Sequence, residues 1–233
     1  MSAVSKAGAD GEIRSIWLRQ RRRPRGEPPL SLPRIVEAAV ALLDDEGIDR
    51  LTMRRLAERL SVAAPSLYGH LDTKEDVIDL AVDAIFGSAP TEQSDDWRAD
   101  VTAVLVAWRG SLLQHPWAAA VPARRRPTIG PNFLAWMEIL QSSLVKAGFA
   151  GGALSSATWA LYNHVMGSAA SQTALRITDE ERRVGQEQLL DRCPTLAARG
   201  YLYDDDWDGS FTVGLGYLLD GLQLQLDRSG DGA

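Results

Sequence analysis

The chain has 233 residues, of which 45% are hydrophobic and 24% charged, with a formal net charge of −6. This is the composition of a soluble globular protein of one large or two modest domains, and no apolar run reaches the roughly 18–20 residues needed to cross a bilayer. The charge is uneven: residues 1–74 hold 13 basic and 10 acidic side chains and residues 75–233 hold 12 and 21, so +3 at one end faces −9 at the other.

Residues 1–30 read as a basic, flexible arm rich in Gly, Pro and Arg. Lys6, Asp10, Glu12 and Arg14 interrupt any apolar signal core. Arg19, Arg21, Arg22, Arg23 and Arg25 make its second half a candidate polyanion contact, although a solvated tail has the same composition. Ile13, Ile16 and Trp17 suit a short apolar turn that docks on the body.

Ser31 then reads as a helix N-cap with Pro33 in the first turn. Ile35, Ala38, Ala39, Leu42 and Leu43 recur at helical spacing, and Gly47 ends the stripe. Thr52 is expected to cap a short second helix that buries Leu56, Ala57 and Leu60. After the turn Ser61-Val62-Ala63, a third helix is expected from Ala64 through His70. Thr73 with Asp76 forms a capping box for a fourth, with the stripe Val77, Leu80, Ala81, Ala84 and Ile85.

No strand-like alternation follows. Helices are expected from Asp95 or Asp96 to Gln114 (Val101, Leu105 and Leu112 inward), from Pro131 to Lys146 (Phe133, Met137, Leu140, Leu144), from Ala153 to Leu175, from Asp179 to Asp191, and from Phe211 to Leu226. Residues 117–130 are short and irregular or helical, and 203–210 read as a solvated acidic loop. The fold class is therefore all-α, in three stretches: an arm at 1–30, a helix-turn-helix domain at 31–87, and a helical domain at 88–233. The one cysteine, Cys193, excludes an internal disulfide and fits a small buried hydrophobe in a reducing, cytoplasmic compartment.

The second and third helices meet with helix-turn-helix spacing, in which the last helix enters a DNA major groove by its first turn. Ala64, Pro65 and Ser66 are small enough to approach base edges. Tyr68 and His70 reach phosphates or stack, and Gly69 does not intrude. Lys74 offers a phosphate both its ammonium and free backbone N–H groups, and Thr52 and Arg54 start the helix that crosses the backbone.

The run from Leu51 through Val62, then Pro65-Ser66-Leu67-Tyr68-Gly69-His70-Leu71 and Lys74, resembles the DNA-binding domain of the tetracycline-repressor (TetR) family. The resemblance implies a transcriptional regulator, a repressor released by a ligand, acting as a homodimer on a palindromic double-stranded DNA operator. It implies DNA contacts at Thr52, Met53, Arg54, Ala64, Pro65, Ser66, Tyr68, Gly69, His70 and Lys74, to which the arm adds Arg21, Arg22, Arg23 and Arg25. The tetracycline repressor carries glutamine at the position of Ala64 and tryptophan at that of Gly69, so the operator is expected to differ. Leu112 through Trp117, Gly130-Pro131-Asn132 and Gly214 through Leu222 are similar to the C-terminal domain of the same type. They imply dimerisation through the long helix near 153–175 and the last helix.

Trp108, His115, Trp117, Phe133, Trp136, Met137, Trp159, Tyr162, Asn163, His164 and Met166 concentrate rings, sulfur and polar groups on a few helices. They suit a site for a small hydrophobic or aromatic effector, and equally a core of ordinary aromatics. Neither His115 nor His164 has a second ligand at helical spacing, so no metal and no cofactor is expected. No nucleophile motif or phosphate-binding glycine loop is present, and the expectation is not an enzyme. An all-helical small-molecule enzyme and a ligand-responsive activator stand as alternatives.

Overall fold

A computed structural model describes residues 30–87, 94–121, 130–175, 178–190, 193–195 and 206–230. The basic arm, with Arg21, Arg22, Arg23 and Arg25, lies outside the described residues. In chain order the helices are α1 (Leu32–Glu46), α2 (Met53–Leu60), α3 (Ala64–Leu67), α4 (Lys74–Phe86), α5 (Trp97–Gln114), α6 (Pro116–Ala119), α7 (Pro131–Ala147), α8 (Gly151–Ala174), α9 (Asp179–Leu190) and α10 (Trp207–Gly230), with a 3-10 turn at Ile48–Arg50. No strand occurs among the described residues. No helix among them is long and apolar enough to cross a membrane.

The chain forms two compact units. Of the described residues, the first holds 30–84 and 130–133, and the second holds 85–87, 94–121 and those from Leu134 onward. The division thus falls within α4 and within α7.

In the first unit, α1 turns Ile35, Ala39, Leu42 and Leu43 inward. They meet Leu51, Leu56, Leu60, Leu67, Leu71, Val77 and Leu80 in one apolar core. Ser31 occupies the N-cap of α1 in extended backbone but makes no side-chain cap bond. Of the two N–H groups that such a cap can serve, the one at N2 is missing because residue 33 is proline. Thr52 caps α2 as expected, its hydroxyl accepting from the Arg55 N–H at 3.1 Å. The capping box is also present: Thr73 Oγ1 accepts from Asp76 N at 3.1 Å, and Asp76 Oδ2 accepts from Thr73 N at 3.0 Å. The apolar stripe expected on α4 is too narrow, because Asp76, Ile78, Asp79, Asp83 and Phe86 are buried as well, whereas Ala84 and Ile85 are only half-buried.

The second unit is built on α8, which packs against α5, α6 and α10. Val101, Val104, Leu105, Trp108 and Leu112 of α5 meet Leu161, Val165 and Ala169 of α8 and Phe211, Leu215 and Leu219 of α10. Leu140 and Leu144 of α7 are buried as expected, but Phe133 and Met137 are only half-buried. Asp96 caps α5, accepting from Arg98 N at 2.9 Å and Ala99 N at 3.2 Å. The last helix starts four residues earlier than the apolar pattern suggests. Asp206 Oδ1 accepts from Gly209 N at 2.8 Å, so residues 207–210, expected as loop, form its first turn. Cys193 is half-buried rather than buried.

One charge lies deep in this unit. Arg109 is 6% exposed. Its guanidinium donates to Asp208 Oδ1 at 2.6 Å, Ser168 Oγ at 3.1 Å, the Trp207 carbonyl at 3.3 Å and Gln172 Oε1, and it lies 4.8 Å from the Phe211 ring centroid. Asp208 itself is 83% exposed at its side chain. Asp208→Ala is expected to cost about 1–2 kcal/mol, because the buried guanidinium loses its carboxylate although water can reach the vacated position. Arg109→Ala is expected to cost about 2–5 kcal/mol, because it opens a void and leaves Gln172 without its donor. Urea unfolding of the two variants checks this, and equal losses would contradict it.

Candidate nucleic-acid interface and aromatic cluster

The turn between α2 and α3 is set by one residue. Ser61 has φ 56° and ψ 41°, the left-handed region. There its N–H reaches Glu58 O at 3.1 Å while Val62 N reaches Ala57 O at 3.0 Å, closing the α2 C-terminus. The chain then enters α3, which is one turn long. Residues 68–70, expected to continue it, instead tighten into turns with Tyr68 N on Pro65 O at 3.2 Å and His70 N on Leu67 O at 2.9 Å. Gly69, a poor helix former, sits in the middle of this stretch.

Leu67 and Leu71 are buried and fasten α3 from below. Pro65, Ser66, Tyr68 and Gly69 are exposed side by side, and Thr52 and Arg54 at the start of α2 are exposed too. Met53, Ala64, His70 and Lys74 are half-buried. Arg54 is held by Glu58 at 2.9 Å along the α2 surface. Lys74 spends one donor on the Ile48 carbonyl at 3.4 Å, leaving two N–H groups of its ammonium.

A second feature of this unit depends on residues far apart in the sequence. Asp83 is 2% exposed. Its carboxylate accepts from Phe133 N at 2.9 Å and Asn132 N at 3.3 Å, and Asn132 Nδ2 donates to the Asp83 carbonyl at 3.1 Å. Asp83 thus caps the first turn of α7. Gly130 is required beside it, because a Cβ there would lie 2.1 Å from Asp83 Oδ1. Burial pushes the Asp83 pKa above the ordinary carboxylate value, against the two backbone N–H groups that pull it down. An acid inside an otherwise apolar helix, followed far along the chain by Gly-Pro-Asn, was the available signal.

In the second unit, the predicted ring residues divide. Trp108 stands between Trp136 at 6.5 Å and Tyr162 at 5.6 Å, edge to face with both, and Phe86 adds a fourth ring at 5.4 Å from Trp108. Trp159 extends the chain of rings to Tyr162 at 5.2 Å but is half exposed. The indole N–H of Trp136 is buried with no hydrogen-bond partner. Burial raises the Tyr162 pKa, so its hydroxyl stays a donor.

His115 and Trp117 pair with each other at 6.3 Å. Met137 and Met166 are half-buried and Asn163 is exposed. Phe133 belongs to the first unit. His164 stacks on Phe211 at 4.9 Å and its Nε2 lies 3.0 Å from the Phe211 carbonyl, so it fastens α8 to α10. Among the described residues no cluster of three or more His, Cys, Asp or Glu could hold a metal.

Residues 35–81 match the family model described as "Bacterial regulatory proteins, tetR family", and 89–226 match "Tetracyclin repressor-like, C-terminal domain". An HTH-type transcriptional regulator of Saccharopolyspora erythraea is 40% identical over 230 residues, covering 95% of this chain and 97% of that protein. The HTH-type transcriptional repressor DrrR1 of Streptomyces coeruleorubidus is 33% identical, over 94% of this chain and 87% of its own. Among solved structures, the TetR family protein ActR of Streptomyces coelicolor, in complex with (S)-DNPA, matches with a TM-score of 0.73 at 28% identity, covering 85% of this chain and all (100%) of that one.

Ser61→Gly is expected to hold or raise stability, by up to about 1 kcal/mol, and Ser61→Val to lower it by about 1–2 kcal/mol, since a branched side chain fits a left-handed residue worst. Matching urea midpoints for the wild type and both variants would contradict this. For Asp83, a folded pKa above the unfolded value means that the folded state binds the extra proton. Its contribution is therefore most favourable below the unfolded pKa and is lost as pH rises through the folded pKa. The stability of wild type minus Asp83→Asn should accordingly grow as pH falls through the folded pKa toward the ordinary carboxylate value of about 4. A difference that is flat or shrinks on acidification would count against it.

Proposed function

The chain belongs to the tetR family of bacterial regulatory proteins, and from that premise we propose how this helix-turn-helix transcriptional regulator works. It is a cytoplasmic repressor that binds a palindromic double-stranded operator as a homodimer and leaves it when a small hydrophobic or aromatic effector binds. It performs no catalytic step. Residues 31–87 read the DNA, and 88–233 bind the effector and the second subunit.

The observation that carries this reading is the exposed surface of α3 and the turn after it, with Pro65, Ser66, Tyr68 and Gly69 together above buried Leu67 and Leu71. A rigid base with small residues at the tip is what a major groove accepts. Ala64, Pro65 and Ser66 meet base edges. Thr52, Met53, Arg54, Tyr68, His70 and Lys74 meet the backbone, and Gly69 lets it approach. Arg21, Arg22, Arg23 and Arg25 add phosphate or minor-groove contacts beside each half-site.

The subunit interface uses α8 and α10. Val213, Tyr217 and Leu224 are exposed on α10, with Tyr217 at 73%, which is costly for an apolar row left in water. The effector site is the group Trp108, Trp136 and Tyr162. The buried Trp136 N–H lacks an acceptor, and an effector oxygen would supply one. Effector binding then lowers operator affinity by no more than its preference between the two states.

Gel shifts on the duplex upstream of the neighbouring gene test the DNA contacts. Tyr68→Ala and Lys74→Ala should weaken binding to operator and random duplex alike, and Lys74→Ala should flatten the slope of log K against log salt by roughly 0.9. Ser66→Ala should instead reduce the preference for operator. Identical losses on both duplexes for all three variants would overturn the assignment. Trp136→Phe should raise the Kd of a DNA-releasing aromatic compound about 5–10-fold with operator affinity unchanged. Light scattering that finds a 25.4 kDa monomer at micromolar concentration would remove the dimer.

A further inference from the structure

The first unit carries an open groove of about 670 Å³ that the regulator reading does not use. Val36, Val40 and Ala41 of α1 form one wall, and Leu80 and Ala84 of α4 form the other. Leu32 and Pro33 lie at one end, and Glu37 and Asp44 stand on the α1 side. None of the residues proposed to touch DNA lines it. Its volume is that of a site that takes a sizeable apolar group.

The chain itself enters at one end of this groove. Leu30 is the first described residue and is buried, and the 29 residues before it lead directly to Leu32 and Pro33. That segment contains Ile13, Ile16 and Trp17 at positions i, i+3 and i+4, one apolar side of a helical turn. Around the triplet Arg14, Arg19 and Arg21 outnumber Asp10 and Glu12, whereas the charged side chains on the α1 wall, Glu37 and Asp44, are both acidic. The reach is ample. Fourteen residues separate Trp17 from Leu32, and the fifteen steps between them can extend about 50 Å, whereas the α1 wall from Leu32 to Asp44 is about 18 Å long. Pro24, Pro28 and Pro29 lie between and break helix, so the segment can turn back.

We propose that the groove between α1 and α4 is the docking site of the chain's own N-terminal arm, which seats Ile13, Ile16 and Trp17 there. Docking pins the arm at a point before Arg19, so the basic run starts from a fixed position on the first unit. The inference goes beyond the regulator reading and does not depend on it. A tether of this length supplies an effective concentration in the millimolar range, so even a weak contact keeps the arm seated.

Two measurements on the full chain, taken without DNA, test this. In a Cys193→Ser background, Ile16→Cys is paired either with Val40→Cys in the groove or with Glu58→Cys on exposed α2. A short bismaleimide should link the Val40 pair within one chain at least about tenfold faster than the Glu58 pair, and Trp17→Ser should abolish the difference. Equal rates would overturn the proposal. So would a link formed between differently isotope-labelled chains, which would give the groove to a second copy. The second measurement needs no new cysteine. Amide hydrogen exchange in α1 and α4 should quicken in Trp17→Ser relative to wild type, and unchanged protection there would overturn the proposal as well. Loss of operator binding with both results intact would sink the regulator reading alone.

Discussion

A guanidinium removed from water has to find its partners in the protein, and Arg109 finds them on two other helices. Four of its N–H directions meet Ser168 and Gln172 on α8 and Asp208 and the Trp207 carbonyl on α10, while its flat face lies over Phe211. Apolar side chains alone would pack α5, α8 and α10 in several neighbouring arrangements of similar energy, because the hydrophobic effect has no direction. A planar fork with fixed donors accepts far fewer. The rest of the second unit follows from that choice. With α5 held at Arg109, Trp108 beside it is turned into the interior against Trp136 and Tyr162. The ring cluster and the charge are thus adjacent residues on one helix, facing different neighbours.

The first unit solves a different problem. A reading head must expose small side chains on a support that does not yield. α3 is too short to be stable alone, since a single turn cannot repay its nucleation. It is held from behind by Leu67 and Leu71 and from the front by a turn whose geometry Ser61 fixes. Asp83 performs a similar service for the return segment at 130–133. Its carboxylate takes the place of water for two backbone N–H groups, and the missing Cβ of Gly130 makes room for it. Both devices accept a local cost, a left-handed serine and a desolvated acid, in order to fix a position.

The elements that rest on neighbours in sequence were visible from the residues. Thr52, the Thr73–Asp76 box, and the inward sides of α1 and α2 all work within four residues, so spacing and side-chain type suffice to find them. What escaped depends on partners about 50 to 100 positions away. Arg109 reads as an ordinary surface arginine until Asp208 and Gln172 are beside it. Asp83 interrupts an apolar stripe and gives no hint of Phe133. His164 looked like a polar anchor for a ligand, yet its ring is taken up by Phe211. The run at 207–210 departs from its expected loop for the opposite reason. Acidic composition suggested loop, when the same residues suit the start of a helix.

The contact between α8 and α10 holds one asymmetry among many small residues. Gly216 and Gly221 have nothing near their missing side chains, but a Cβ on Gly214 would come within 2.9 Å of the His164 ring. The imidazole therefore sits in a notch that a single glycine provides. Both helices are long and carry many small side chains, a combination that by itself would tolerate sliding by one turn, about 5.4 Å. The notch works as an index mark. A one-turn slip would drive the ring against Leu218 or Ser210 instead of the gap, so the two helices hold a single register along their whole length.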